Sequence, residues 1–101
     1  MPILAIFTGQ VSKDQYDALR REVKWEENTP AGVLAHVASF DAAGGLHVAE
    51  VWESEAQLNE FVGTRLMPTF QKLGASPPNV EIYPAHNVNS YAGLDAYKAR
   101  G

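Results

Sequence analysis

Three histidines are the side chains of this sequence best suited to proton transfer, and His36 is the one that stands within an apolar run. If Phe40 pairs with Leu46 across a short antiparallel turn, counting back along both runs sets His36 opposite Glu50. A carboxylate beside an imidazole orients the ring and favours its charged form, an arrangement typical of a general acid or base. The spacing therefore predicts a His36–Glu50 catalytic pair. A structural ion pair is the alternative, and a register shift of two residues would change the partner.

A second group of candidates is predicted to enclose a cavity for a hydrophobic molecule. His86 is a candidate second proton-transfer group and Asn87 a candidate ligand contact, with a simple surface turn as the alternative. The indole nitrogen of Trp52 would donate to a ligand oxygen, and Arg65 would hold an acidic or phenolate group. The other candidate ligand contacts are Phe7, Phe61 and Phe70. The alternative for the aromatic side chains is an ordinary core, and for Arg65 it is a solvated helix position.

Metal and nucleophile motifs are missing from the sequence. There is no cysteine, which excludes disulfides, zinc ribbons and thiolate catalysis. The histidines show no HxH or HExxH spacing, and no GxSxG elbow is present. We therefore predict an activity that uses neither a metal ion nor an organic cofactor.

Composition limits the class of protein. A chain of 101 residues with 46% hydrophobic side chains is sized for one compact domain. Twelve acidic against eight basic side chains give a formal charge of −4, a sign that repels phosphate backbones, so we expect no nucleic-acid partner. The first residues carry no basic segment, and their apolar run ends at Thr8, which is too short for a membrane span. We expect a cytoplasmic protein with no membrane contact.

The elements that must position these side chains follow from hydrophobic period and from cap residues. In chain order they are a strand over residues 2–8, a helix starting at Ser12, strands over 33–40 and 46–53, a helix starting at Ser54 and interrupted at Pro68, and a strand over 80–83. The order βαββαβ predicts an α+β, ferredoxin-like fold, a four-stranded antiparallel sheet with two helices on one face. We assign residues 1–88 to this domain and residues 89–101 to a C-terminal tail.

The face of the sheet away from the helices is also apolar. The strands over residues 2–8 and 33–40 carry hydrophobic side chains on both sides, whereas a sheet with one wet face alternates cleanly. Another copy of the same sheet is the economical cover. The sequence therefore predicts a homodimer formed by sheet-on-sheet packing.

The stretch over residues 45–61 resembles the junction between the third strand and the second helix in the dimeric α+β barrel superfamily. The likeness extends to residues 65–68 and 83–87, which are similar to small bacterial proteins near the antibiotic-biosynthesis-monooxygenase group, and it covers about residues 2–88. The resemblance implies a ferredoxin-like domain that dimerises into an α+β barrel. It leaves the chemistry open, because the superfamily includes cofactor-independent monooxygenases, haem-degrading enzymes, cyclases and members without known activity.

The haem-degrading branch can be examined by position. Its members resemble this chain at residues 51–54, but their axial histidine falls at Gln71 and their catalytic tryptophan at Phe61. Their strand-one asparagine has no counterpart in the apolar run over residues 3–7. The resemblance therefore disfavours haem degradation.

Two functions remain in competition. The first is a small cofactor-independent enzyme that removes a proton from a hydrophobic, aromatic or polyketide-like molecule, which then undergoes monooxygenation or cyclisation. The second is a non-catalytic homodimer that binds a small hydrophobic ligand. An RNA-binding sheet shares the βαββαβ order, but the acidic balance and the third strand, which lacks aromatic and basic side chains over residues 48–51, disfavour it.

Overall fold

The computed structural model describes residues 1–99 of the chain. Its elements are β1 (Ile3–Gly9), α1 (Lys13–Glu22), β2 (Val33–Phe40), β3 (Leu46–Trp52), α2 (Glu55–Phe61), a π-helical turn (Val62–Leu66), α3 (Met67–Leu73), β4 (Asn79–Pro84) and a 3-10 helix (Ala92–Tyr97). The strands form one four-stranded antiparallel sheet in the order β2-β3-β1-β4. The predicted α+β ferredoxin-like fold is confirmed. In the described part of the chain, no helix has the length and hydrophobicity that crossing a membrane requires.

The core lies between the sheet and the helices. Ala5 on the central strand β1 and Trp52 at the end of β3 are completely buried, and Leu58 of α2 packs with them. The other buried members of this cluster are Ile3, Phe7, Val11, Leu19, Leu46, Val48, Phe61 and Phe70. Burying aliphatic and aromatic side chains of this kind supplies most of the stability of a small domain without disulfides.

Helix α1 begins and ends at recognisable signals. At its start the Ser12 hydroxyl accepts from the amide of Gln15, and the Gln15 side chain accepts from the amide of Ser12, the reciprocal cap predicted from the sequence. At its end Lys24 has a left-handed φ of 56°, and the amide of Trp25 donates to the carbonyl of Arg20. This closing turn is a Schellman motif, and it folds the Trp25 side chain back toward the core.

The second helix is interrupted just before Pro68, as predicted. A π-helical turn separates α2 from α3, and Pro68 stands in the first turn of α3. Proline has no N–H to donate, and its ring clashes with the carbonyl four residues earlier, so the wider turn removes a clash that a regular helix would contain. The Thr69 hydroxyl donates to the carbonyl of Arg65 and adds a side-chain hydrogen bond across this junction. The helical backbone therefore stays continuous from α2 through the π-helical turn to α3.

The β2–β3 hairpin positions the candidate catalytic pair. Its register pairs Phe40 with Leu46 and His36 with Glu50, as predicted. The next predicted pair, Leu34 with Trp52, is wrong, because a bulge at the start of β2 brings Val33 opposite Trp52 instead. The extra residue reverses the alternation, so Leu34 leaves the core face and is 53% exposed.

On the face of the sheet turned away from the helices, the described part of the chain leaves apolar side chains exposed or half-buried. Val37 is 57% exposed and Tyr83 is 47% exposed on this face. Leu4, Ile6 and Val51 stand beside them and are half-buried. We call these five residues the open sheet face. The predicted tail begins beyond the sheet and is described to residue 99, while residues 100 and 101 lie outside the described part.

Candidate active site

Four side chains from α1, β2 and β3 form a hydrogen-bonded chain beneath the helices. The Nδ1 atom of His36 lies 2.7 Å from Oε2 of Glu50, and its Nε2 atom lies 2.8 Å from the hydroxyl of Tyr16. The indole nitrogen of Trp52 donates to the other carboxylate oxygen, Oε1 of Glu50, at 2.8 Å. The predicted contact between His36 and Glu50 is present, and it is extended at both ends.

The direction of the hydrogen bonds follows from what each group is able to donate. An ionised carboxylate only accepts, so Glu50 takes one N–H from Trp52 and one from His36. The proton of a neutral His36 ring is therefore on Nδ1, and its Nε2 lone pair accepts the hydroxyl of Tyr16. A carboxylate that fixes the tautomer of an imidazole in this way prepares the opposite nitrogen to act as a base.

Burial differs along this chain of side chains. The Glu50 side chain is 6% exposed, whereas that of His36 is 20% exposed. Burial raises the pKa of Tyr16 to about 12, and the negative charge of Glu26 adds to the effect. The phenol therefore stays protonated, and it is a hydrogen-bond donor throughout the neutral range.

A half-open cleft with a volume of about 70 Å³ runs over this cluster. His36, Glu50, Tyr16 and Arg20 supply its polar groups. The remaining walls are apolar and consist of Phe7, Leu19, Val23, Trp25, Leu46, Val48, Phe61, Leu66, Phe70 and Pro78. A cleft with few polar groups among many apolar ones suits a hydrophobic ligand with one reactive polar atom.

Aromatic rings surround the histidine. The ring centroid of Trp25 is 4.5 Å from that of His36 and 5.3 Å from that of Phe61. Trp52 continues the series at 5.6 Å from Phe61. Offset and edge-on ring contacts of this kind stabilise the packing of the cleft wall around His36.

The structure brings some predicted residues together and moves one to a different role. Phe7, Phe61 and Phe70 line the cleft with His36 and Glu50, and their role as ligand contacts stays a prediction. Trp52 does not reach the cleft. It is completely buried, and its indole nitrogen donates to Glu50, so the expected donation to a ligand oxygen is replaced by orientation of the carboxylate.

Arg65 is engaged with the backbone. Its guanidinium donates to the carbonyl of Val23 and, at 2.8 Å, to the carbonyl of Asn28, and it lies 5.2 Å over the ring of Phe61. These contacts tie the turn after α1 to the π-helical turn. The structure thus gives Arg65 a part in positioning the cleft wall, because its Nη2 atom donates to two backbone carbonyls and its side chain is not among the residues that line the cleft.

His86 and Asn87 are exposed and are not among the residues of the cleft. The sheet order gives the physical reason. His36 lies on the edge strand β2, whereas His86 follows β4, the edge strand on the opposite side of the sheet. Within one protomer, the structure therefore separates His86 from the His36–Glu50 pair.

Sequence reasoning singled out neither Tyr16 nor Trp25. A signal for Tyr16 existed, because it begins the apolar stripe of α1 with Leu19, and a phenol on a buried face needs a polar partner on the facing sheet. For Trp25 the sequence offered no signal. Its position depends on the left-handed backbone conformation of Lys24. A glycine at this position would have predicted that conformation, whereas a lysine does not.

Within residues 1–99, no group of three or more histidine, aspartate or glutamate side chains is arranged to hold a metal ion. The prediction of a cofactor-free activity stays a prediction. The residues that bear on chemistry here are the Tyr16–His36–Glu50–Trp52 chain and the aromatic walls around it.

Solved structures share this fold. A Chloroflexus aurantiacus protein with the provisional name antibiotic biosynthesis monooxygenase is 14% identical, covers 89% of this chain and 98% of its own, and superposes with a TM-score of 0.65. A Nitrosomonas europaea protein of unknown function is 20% identical over 92% of this chain and 98% of its own, with a TM-score of 0.61. SnoaB, a cofactor-independent oxygenase from Streptomyces nogalater, is 11% identical over 86% of this chain and 93% of its own, with a TM-score of 0.61.

These similarities confirm, at the level of the fold, the predicted resemblance to antibiotic-biosynthesis-monooxygenase-like proteins. No protein-family model matches the sequence, and comparison with curated proteins finds no match. At identities of 11% to 20% the shared fold does not transfer an activity.

Proposed function

We propose that this protein is a small enzyme that takes a proton from a hydrophobic, aromatic or polyketide-like molecule held in the cleft, with His36 as the general base and without a cofactor. The observation that carries the proposal is that His36, Glu50 and Tyr16 line an apolar cleft while Glu50 holds Nδ1 of His36, so that Nε2, which accepts from Tyr16, is the basic atom of the ring. SnoaB, a cofactor-independent oxygenase, has the same fold, which supports the same class of chemistry here.

In the proposed step, Nε2 of His36 receives the proton and the imidazole becomes positively charged. Glu50 lies 2.7 Å from Nδ1 and stabilises that charge. The carboxylate is itself held by the indole N–H of Trp52, so it does not have to reorganise as the charge develops. The apolar walls exclude water and strengthen these interactions.

Two outcomes share this first step. The C–H bond of the substrate breaks, its electron pair stays on the substrate as a stabilised carbanion, and the proton goes to His36. If the carbanion meets dioxygen, a CH₂ group flanked by two rings becomes a ketone, and the balance is one O₂ consumed and one water released. If the carbanion attacks a carbonyl of the same molecule, a C–C bond forms and the new alkoxide takes the proton back from His36.

We further propose that the protein acts as a homodimer joined through the open sheet face. Val37 and Tyr83 expose apolar surface there, and a second copy would cover it. A Val37→Glu variant should keep its fold, because this side chain is 57% exposed, and should sediment as a monomer where the wild type sediments as a dimer. A monomeric wild type, or a dimer unaffected by Val37→Glu, would contradict the proposal.

The absence of cysteine leads us to propose a cytoplasmic location.

The test of the catalytic proposal compares two histidine variants. His36→Gln removes the base, and His47→Gln is the matched control on the same hairpin, where the side chain is 51% exposed. With an anthrone as the probe, we expect oxygen uptake to fall about 10²-fold or more in His36→Gln and to stay at the wild-type rate in His47→Gln. Equal rates in the wild type and in His36→Gln would contradict the proposal.

One observation favours the second candidate, a ligand-binding protein without catalysis. Within the described residues no buried side-chain nitrogen or oxygen lacks a partner, and Nε2 of His36 is occupied by Tyr16. A binding protein should show no turnover in the wild type. Its His36→Gln variant should retain most of its affinity for hydrophobic ligands, measured by quenching of the tryptophan fluorescence, since Trp25 lines the cleft.

A further inference from the structure

Tyr16 occupies the position that a substrate of the proposed enzyme has to reach. Its hydroxyl lies 2.8 Å from Nε2 of His36, the atom that would accept the substrate proton. It also lines the cleft together with His36 and Glu50. An acidic ligand atom that approaches Nε2 must therefore take over the hydrogen bond of the phenol and come to lie beside it.

We propose that Tyr16 is the oxyanion donor of the cleft: once the ligand has replaced it at Nε2, its O–H donates to the ligand oxygen on which negative charge develops. This inference rests on the proposed function, because it assigns a second role at the same site. Tyr16 loses no proton in the step. The proton moves from the ligand to Nε2, and the phenol stabilises the anion that remains.

The packing of Tyr16 permits this exchange of partners. The ring lies edge-on to Phe40 at 6.0 Å and nearly parallel to the His36 ring, with 16° between the planes. The side chain therefore keeps its place on α1 while its hydroxyl changes acceptor. The Tyr16 hydroxyl lies 2.8 Å from Nε2 of His36. A ligand atom that forms a hydrogen bond with Nε2 therefore stays within hydrogen-bond reach of this hydroxyl.

The electrostatics of the cleft favour a donor at this position over a second base. Burial raises the pKa of Tyr16 to about 12, and the negative charge of Glu26 contributes in the same direction. A phenol that resists ionisation keeps its proton while a neighbouring base works at neutral pH. The pair then divides the work, with the imidazole accepting the proton and the phenol stabilising the resulting oxyanion.

The experiment uses 4-nitrophenol, whose visible absorption reports its ionisation, with the wild type, three point variants and one variant that carries fluorotyrosine. Tyr16→Phe removes only the hydroxyl. Tyr97→Phe is the matched control, since this tyrosine is 86% exposed in the tail. His36→Gln removes the proton acceptor. Thermal melting of each variant verifies that it is folded.

We expect the wild type and Tyr97→Phe to bind the probe as its anion, at a pH where the free probe is partly protonated. Tyr16→Phe should bind the anion about ten- to a hundredfold more weakly, the effect of one hydrogen bond to a charged acceptor. Replacement of Tyr16 by fluorotyrosine keeps the bulk and strengthens the donor, so it should tighten binding of the anion. This second variant keeps the test informative if Tyr16→Phe folds poorly.

The outcomes separate the two proposals. If His36→Gln abolishes ionisation of the bound probe while Tyr16→Phe leaves its affinity unchanged, His36 remains the base and the role of Tyr16 is refuted. Tighter binding of the anion by Tyr16→Phe would also refute it, because the phenol would then act only as a competitor for Nε2. If the wild type does not ionise the bound probe at all, the proposed function fails, and this inference fails with it.

Discussion

Replacing Glu50 with glutamine keeps the shape of the side chain and removes one of its two acceptors. The carboxylate accepts from Trp52 at Oε1 and from His36 at Oε2. The indole of Trp52 only donates, so the amide oxygen of the new side chain must face it, and the amide NH₂ then faces His36. Nδ1 of His36 becomes an acceptor, and the ring proton moves to Nε2, where it donates to Tyr16.

The structure sets the size of the effect. Hydrogen bonds to charged groups contribute about 1.5–3 kcal/mol and neutral ones about 0.5–1.5 kcal/mol, so Glu50→Gln loses about 1 kcal/mol at each of its two contacts. Relief of the desolvation of a buried carboxylate offsets part of this loss. We expect the free energy of unfolding to fall by about 1–2 kcal/mol, which lowers the melting temperature by about 4–16 °C in a domain of this size.

Activity should fall far more than stability. A reversed tautomer leaves no lone pair on Nε2 to accept the substrate proton, and the same change in a serine–histidine–aspartate triad lowers turnover by about 10⁴-fold. Nitrogen-15 NMR of the His36 ring measures the tautomer directly, and the exposed Glu53→Gln on the same hairpin is the matched control. If the His36 proton stays on Nδ1 in Glu50→Gln, the reasoning about hydrogen-bond direction is refuted.

Three further predictions concern pH and the cleft wall. The folded-state pKa of Tyr16 is raised to about 12, so the contribution of this phenol to the free energy of unfolding is complete below the ordinary pKa near 10 and is lost as pH rises toward 12. Denaturation measured at alkaline pH tests this loss. The pKa of Asp41 is lowered mainly by the hydrogen bond from His47 and also by hydrogen bonds from backbone amides of the turn. The β2–β3 turn should therefore become less ordered as pH falls into the acid range and Asp41 is protonated. Amide hydrogen exchange of the turn measures this change. Arg65→Ala removes two hydrogen bonds to backbone carbonyls and should lower the free energy of unfolding by about 2 kcal/mol, measured by denaturant titration.

The local part of the site was predictable from the sequence. His36 and Glu50 belong to adjacent strands joined by a short turn, and a period of two residues per strand then determines which side chains face each other. The same counting failed two residues further, at Leu34, because a bulge inserts a residue without any special residue type. Strand register can thus be predicted from the sequence near a turn, and the prediction becomes less accurate with distance from the turn.

The non-local part of the site was not predictable. Tyr16 meets His36 only because α1 crosses β2 at a particular height, and that depends on how the whole helix face packs on the sheet. His86 was a candidate because it follows the fourth strand, within the stretch over residues 83–87 that resembles the family, and only the strand order shows that His36 and His86 belong to opposite edges of the sheet. Chemistry that depends on one hairpin is visible in the sequence, whereas chemistry that depends on layer packing is not.

In the proposed function, Nε2 of His36 removes a proton from a ligand in the cleft. The most direct test is exchange of the acidic C–H of an anthrone for deuterium in D₂O without oxygen, followed by NMR, since this isolates proton abstraction from its later fate. We predict that the wild type accelerates exchange and that His36→Gln reduces the acceleration about 10²-fold or more, while His47→Gln does not. Exchange that proceeds equally fast with His36→Gln, or that the wild type does not accelerate, would refute the assignment of His36 as the general base.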